Sequence, residues 1–299
     1  LWKVVVSDKT TWLFLSGTDP DGITGFGEAT ANDNINEIIT KFPKAIEAAS
    51  FHQAGMNATP ANILKLIPGK PGKAIVSACE QVFFDIQSQR NSNPLFNLLG
   101  GRQRKNVNAY ANINRGTLAR SQEEFAYRAQ VAISHGYKAI KLARFDYLKP
   151  GGLSSAEAKF LFSKGLKRIE TMSNEVGEQA RIQIDCHARF HTSDLPKLSD
   201  KVLSLNVGWL AEPIKETEEN YPVLADLRQR LEASGCILAG AEPSDCFAEF
   251  FKFLLHRCYT VVMPDIILSS GLSEVIAIGR LASQHSVAVS PHNPCGPIM

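Results

Sequence analysis

Residues 139–185 read AIKLARFDYLKPGGLSSAEAKFLFSKGLKRIETMSNEVGEQARIQID. The stretch opens on a short apolar run, Ala139–Ala143, and closes on another, Ile182–Asp185. Between them, Ala156–Val176 carries the apolar periodicity of a helix. A strand, a helix and a second strand over this length form the crossover unit of a parallel sheet. The alternation continues in both directions. Further strands are predicted at Val107–Ile113, Val207–Leu210, Ile237–Gly240, Val261–Met263 and Val287–Ser290, and further helices at Gln122–His135, Tyr221–Ala233 and Leu272–Gln284. No Gly-x-Gly-x-x-Gly turn follows the first strand, which argues against a dinucleotide-binding sheet. A (β/α)8 barrel of the TIM type fits better. Seven strands are legible before Met299, so an eighth strand and a C-terminal segment are expected to be absent from this chain.

The region before the barrel reads differently. Lys3–Ser7 and Thr11–Ser16 are apolar and β-branched, and Asp19-Pro-Asp-Gly22 is turn chemistry ahead of Gly25-Phe-Gly-Glu28. Helical periodicity then covers 34–55 and 60–99, with Ser77–Leu99 expected to end at Gly100-Gly101. These signals define an α+β domain over 1–104 and a barrel domain over 105–299, with a connection between Val6 and Thr11 that is either very short or missing its loop.

Composition narrows the possibilities. The chain has 299 residues, 44% hydrophobic and 21% charged, with a net charge of +2. That is too apolar for disorder and carries no basic footprint for nucleic acid. No apolar run reaches the roughly 18–20 residues of a membrane span, and no signal pattern opens the chain. The six cysteines, at 79, 186, 236, 246, 258 and 295, show neither zinc spacing nor a disulfide framework. Buried free thiols in a cytoplasmic protein are the expectation.

In a barrel of this kind chemistry sits at the C-terminal ends of the strands. The second to seventh strands run into Lys141, Asp185 and His187, Glu212, Glu242, Asp265, and His292 respectively. A single loop carboxylate is ordinarily just solvated, whereas six successive strands with ionisable ends point to a shared site.

Asp185, Trp209-Leu-Ala-Glu-Pro213, Gly240-Ala-Glu242, Met263-Pro-Asp265 and Ser290-Pro-His292 resemble the enolase superfamily, mandelate racemase subgroup. Gly25–Ala29 (GFGEA) and Ser77–Gly101 are similar to that family's capping domain, so the resemblance covers nearly the whole chain. It implies Mg2+-assisted removal of the proton beside a substrate carboxylate. It makes Asp185 and Glu242 metal ligands, His292 the general base and Asp265 its orienting partner. Asp185-x-His187 is similar to the sugar-acid dehydratases of galactonate and gluconate type, where that histidine is the general acid. A homo-oligomer is expected on the same ground.

Two positions depart from the pattern. Many members carry Lys-x-Lys after the second strand, and here Lys141 is followed by Ala143. Loss of that second base favours dehydration over racemisation and leaves Lys141 to contact the substrate carboxylate. The fourth strand should bring a metal carboxylate where Ala211 stands. Glu212 is carried as the third ligand, although neighbouring strand residues face opposite ways and the backbone would have to twist. The resulting expectation is a Mg2+-dependent acid-sugar dehydratase giving a 2-keto-3-deoxy acid. A racemase or epimerase of a carboxylate, and a non-catalytic barrel with a degraded metal site, are the alternatives.

Overall fold

The computed structural model describes residues 1–7, 10–49, 59–114, 117 and 121–298. Three N-terminal strands, β1 (Trp2–Ser7), β2 (Thr10–Thr18) and β3 (Thr24–Glu28), form an antiparallel sheet in that order. Asp19 shapes the second turn, its Oδ1 accepting from the amides of Asp21 and Ile23 at 3.0 and 2.9 Å. Helices α1 (Ile35–Ala49), α2 (Thr59–Leu66) and α3 (Lys70–Arg90) share one core with this sheet, built on Leu13, Ile38, Ile63, Ile75 and Val82. A Cβ on Gly27 would lie 2.2 Å from the Ala78 carbonyl oxygen, so only glycine lets β3 rest this closely on α3.

The helical reading of 60–99 is corrected at two breaks. Pro68-Gly69 separates α2 from α3, and Asn91–Pro94 ends α3 before the single turn α4 (Leu95–Leu98). Proline disfavours helical backbone in the residue before it and lacks the N–H a continuing helix needs. Gly100 and Gly101, at φ of 110° and 86°, close α4 and not the long helix. Residues 50–55 of the expected 34–55 helix, and residues 8 and 9 of the Val6–Thr11 connection, lie outside the described residues.

The remainder alternates strictly: β4 (Ala111–Asn112), α5 (Gln122–Ser134), β5 (Ala139–Ala143), α6 (Ala156–Val176), β6 (Arg181–Asp185), α7 (Leu195–Ser204) and β7 (Val207–Ala211), then α8 (Tyr221–Glu232), β8 (Ile237–Gly240), α9 (Phe247–Leu255), β9 (Val261–Val262), α10 (Leu272–Gln284) and β10 (Ala288–Val289). The strands pair in parallel, each with its sequence neighbour, into a curled seven-stranded sheet whose edges are β4 and β10. It is the architecture of an incomplete TIM barrel. The Val107–Ile113 strand shrinks to two residues opposite Ile140 and Lys141. As an edge strand it has one neighbour, and Val107 is 81% exposed with nothing to pack on.

Local chemistry explains the longer elements. Ser155 caps α6 by accepting from the Ala158 amide at 3.0 Å, and the helix stops at Gly177 with φ 54°. Phe162, Gly165, Ile169, Met172 and Val176 form its buried face. In β7, Leu210 faces the surrounding helices while Trp209 and Ala211 face the barrel interior with Ala239, Val261 and Met263.

Two glutamates tie the N-terminal elements to the barrel. Glu28, fully buried, accepts from the amides of Gly296 at 2.5 Å and Ile298 at 3.2 Å. Glu80, on α3, accepts from the Leu272 and Ser273 amides that open α10. No helix among the described residues is long and apolar enough to cross a membrane, and all six cysteines are free.

Candidate active site

The barrel strands stop abruptly, and their last residues turn sideways. His187 and Ala188 after β6, Glu212 after β7 and Ala241 after β8 all have left-handed backbone, with φ of 46°, 53°, 46° and 68°. Each such non-glycine residue costs on the order of 1–2 kcal/mol, so the surrounding contacts must hold it there. All seven side chains singled out from the sequence lie at this end of the barrel, six of them in two polar groups and Glu212 apart.

On one side, the Nδ1 of His292 donates to Asp265 Oδ2 at 2.8 Å and its Nε2 lies 2.9 Å from Glu242 Oε1. Asp265 is fixed in turn, its Oδ1 accepting from the Ile267 and Leu268 amides. Burial works against charge on the imidazole, but Asp265 and Glu242 outweigh it and push the His292 pKa up to about 9. On the other side, Lys141 Nζ meets Asp185 Oδ2 at 2.8 Å with both side chains buried. Burial opposes the ammonium here too, and Asp185 reverses the balance, raising its pKa. His187 contacts Asp146 Oδ1 through Nδ1 at 2.8 Å, and its Nε2 lies 3.5 Å from Asp185 Oδ1. The Asp146 hydrogen bond raises the His187 pKa against the effect of burial.

Glu212 takes a different position from the other carboxylates. Its Oε1 accepts from the Glu242 amide at 3.0 Å, and its side chain lines a cavity of about 300 Å³ on the outer side of β7 and β8 with Glu216, Tyr221 and Phe253. Glu242, Asp265 and His292 instead face a cavity of about 410 Å³ closed from above by Thr30, Ala31 and Lys70 of the N-terminal elements. Burial, then Glu216, Glu242 and Asp185, pushes the Glu212 carboxyl up to about 9. Ala211, where the resemblance calls for a carboxylate, faces the barrel interior and is fully buried.

Whether this donor set suits Mg2+ can be judged on two observations. Glu242 Oε2 is buried without a hydrogen-bond partner, and burial, with the nearby carboxylates of Glu216, Glu242 and Asp185 adding to it, lifts the Glu212 carboxyl to about 9. Both are relieved by a cation, and hard carboxylate oxygens are what Mg2+ prefers. The residues therefore fit the ion. The three carboxylates do not converge within 4.8 Å of one another, because Asp185 is engaged by Lys141 and Glu242 by His292.

Three further residues belong to the neighbourhood and were not singled out from the sequence. Asp146 holds His187. The Tyr110 ring lies 5.8 Å from the Lys141 ammonium. Glu216 accepts from the Ala241 amide at 2.6 Å and from the Tyr259 hydroxyl at 2.5 Å. Asp146 falls three residues past the end of β5, near enough for the strand-end rule to have included it. Glu216 gives no comparable signal, lying among four charged residues of the loop Lys215–Glu219.

Two histidine–carboxylate pairs and further carboxylates thus gather at the C-terminal ends of parallel strands, where barrel enzymes carry their chemistry. Residues 124–299 match the family model described as Enolase C-terminal domain-like, and the chain belongs to the enolase superfamily. It is 26% identical over 226 residues to the D-gluconate dehydratase of Thermoproteus tenax, spanning 75% of this chain and 43% of that protein. It is 26% identical over 301 residues to the D-galactonate dehydratase of Xanthomonas campestris, spanning 96% of this chain and 72% of that protein. The structure superposes with a TM-score of 0.78 on a variant of an L-talarate/galactarate dehydratase liganded with Mg and L-glucarate, at 18% identity, covering 95% of this chain and 68% of the other.

Proposed function

We propose that this chain is a Mg2+-dependent acid-sugar dehydratase that removes the α-proton and the β-hydroxyl of an aldonic or aldaric acid to give a 2-keto-3-deoxy acid. The observation carrying this reading is the pair of histidine–carboxylate dyads across one mouth, one suited to take a proton and the other to give one. His292, oriented by Asp265 through Nδ1, takes the α-proton on Nε2. His187, whose pKa the Asp146 hydrogen bond raises, delivers a proton to the departing β-hydroxyl, which leaves as water. The resulting enol becomes the keto acid by proton transfer to carbon. Lys141, buried and paired with Asp185, would contact the substrate carboxylate.

Asp185 and Glu242, with Glu212 as the third carboxylate and water in the remaining positions, would hold Mg2+. Bound there, the ion supplies the positive charge that stabilises the substrate carboxylate as it gains negative charge. Glu242 would then be turned from His292 towards the ion, leaving the imidazole free to act as a base. The named dehydratases among the relatives support the reaction class, and the missing second lysine supports one base over two. Residues 1–104 act as the cap and 105–299 as the catalytic barrel in this reading.

The test is a panel of C5 and C6 sugar acids, mono- and diacids, assayed with Mg2+ for 2-keto-3-deoxy product and for α-deuterium incorporation from heavy water. Water loss from at least one acid is expected. Exchange without water loss throughout the panel would assign a racemase or epimerase instead. Neither exchange nor product would leave a non-catalytic barrel.

A further inference from the structure

Glu242 carries most of the site's connections, yet its backbone follows the left-handed Ala241 and belongs to a turn with no regular structure of its own. Two glutamates from the neighbouring β7–α8 connection hold the successive amides of that turn. Glu212 accepts from Glu242 and Glu216 from Ala241. The Glu216 carboxylate is itself held by the hydroxyl of Tyr259, which is 2% exposed. Burial keeps that phenol well above its ordinary pKa, so it stays a donor at any working pH. The strand end fits over the pair with no room to spare. A Cβ on Gly240 would lie 2.2 Å from the Tyr259 ring and 2.5 Å from Glu216 Oε1.

We propose that Glu216, braced by Tyr259, is the positioning residue that fixes the Ala241–Glu242 turn and so sets the Glu242 carboxylate in the barrel mouth. This rests on the reading above, in which Glu242 holds the metal. The physical case is accounting of donors and acceptors. Ala241 is fully buried, its amide points away from the sheet, and Glu216 is the acceptor it finds. Without that acceptor the left-handed turn loses what offsets its cost, and the Glu242 backbone relaxes. Glu216 does not line the 410 Å³ cavity; it reaches the site through the Glu242 turn and through its charge beside Glu212.

The test is calorimetric titration of Mg2+ alone into the whole chain, with thermal unfolding measured in parallel. Glu216→Ala should weaken Mg2+ binding about 10–100-fold, the usual cost of removing a group that orients a metal ligand. Glu216→Asp withdraws the carboxylate by one methylene and serves if the alanine variant does not fold; about tenfold weakening is expected. Glu216→Gln keeps an acceptor oxygen for both donors and should stay within about threefold of the wild type. Tyr259→Phe removes the brace and should fall between the two. A purely structural role would lower the unfolding temperature of these variants and leave Mg2+ affinity unchanged. That result, with Glu242→Gln abolishing binding, overturns the inference while the proposed function stands. If the wild type binds no Mg2+, or Glu242→Gln binds it as well as the wild type, both are overturned.

Discussion

The imidazole of His292 sits between two carboxylates, and the consequence for stability has a definite sign. Its folded pKa, about 9, exceeds the ordinary value of 6.5. The ion pairs therefore contribute fully below about pH 6.5, and the contribution fades as pH rises through 9. In metal-free protein, thermal unfolding of the wild type and His292→Asn should differ most near pH 6 and converge towards about pH 10. A difference that grows with pH would contradict the assignment. His187→Asn should lower dehydration about 10²–10⁴-fold while α-proton exchange persists, because the acid is needed only after the proton has left. Equal loss of both steps would make His187 an orienting group for Asp185. Glu212→Gln should weaken Mg2+ about tenfold if its second oxygen serves the ion; a silent change would hand that position to water. At this scale the sequence was informative at the strand ends: Asp185 closes β6, and Asp265 and His292 follow β9 and β10 by three residues each and meet in an isolated parallel bridge. It named Glu212 without fixing its direction, which depends on a left-handed backbone at φ 46° that the adjacent Pro213 does not specify.

Helices α5, α6 and α10 could be read to within a residue of their ends, because a serine cap or a following glycine marks them or their periodicity stops sharply. The break at Asn91–Pro94 was missed because apolar residues resume at Leu95, although about half a turn out of phase with Ile86. The shortness of β4 was missed because pairing is decided by a neighbour, which a single strand's sequence does not contain. Aromatic packing anchors α6 to the sheet. Phe162 stacks on Phe145 at 5.6 Å between ring centres and meets Phe190 edge-on at 5.7 Å. Phe162→Ala should lower the unfolding free energy in urea by about 3–5 kcal/mol, since the two remaining rings cannot fill the gap it leaves. A cost below about 1 kcal/mol would show that the cluster repacks freely.

For the whole molecule, strand order followed from the alternation alone, since consecutive parallel strands joined by helices have few other arrangements. The attachment of the N-terminal elements was not legible. Glu28 meets Gly296 across 268 positions, and no periodicity links them. Glu28→Ala would leave the buried Gly296 amide without its acceptor, at about 1–3 kcal/mol. It should speed hydrogen exchange across residues 290–298 well before global unfolding; unchanged protection there would mean that the barrel alone holds the segment.

The placement of Glu28 and Glu80 also limits how this protein can be rearranged by recombination. Each arm of the acid–base pair is anchored a few residues downstream, Asp265 through the start of α10 and His292 through Gly296, by a carboxylate belonging to the other part of the chain. The N-terminal elements are thus no interchangeable cassette. A chimera that grafts a foreign cap onto this barrel must also import partners for those four amides, or it will bring a new specificity to a reaction centre it has unfastened.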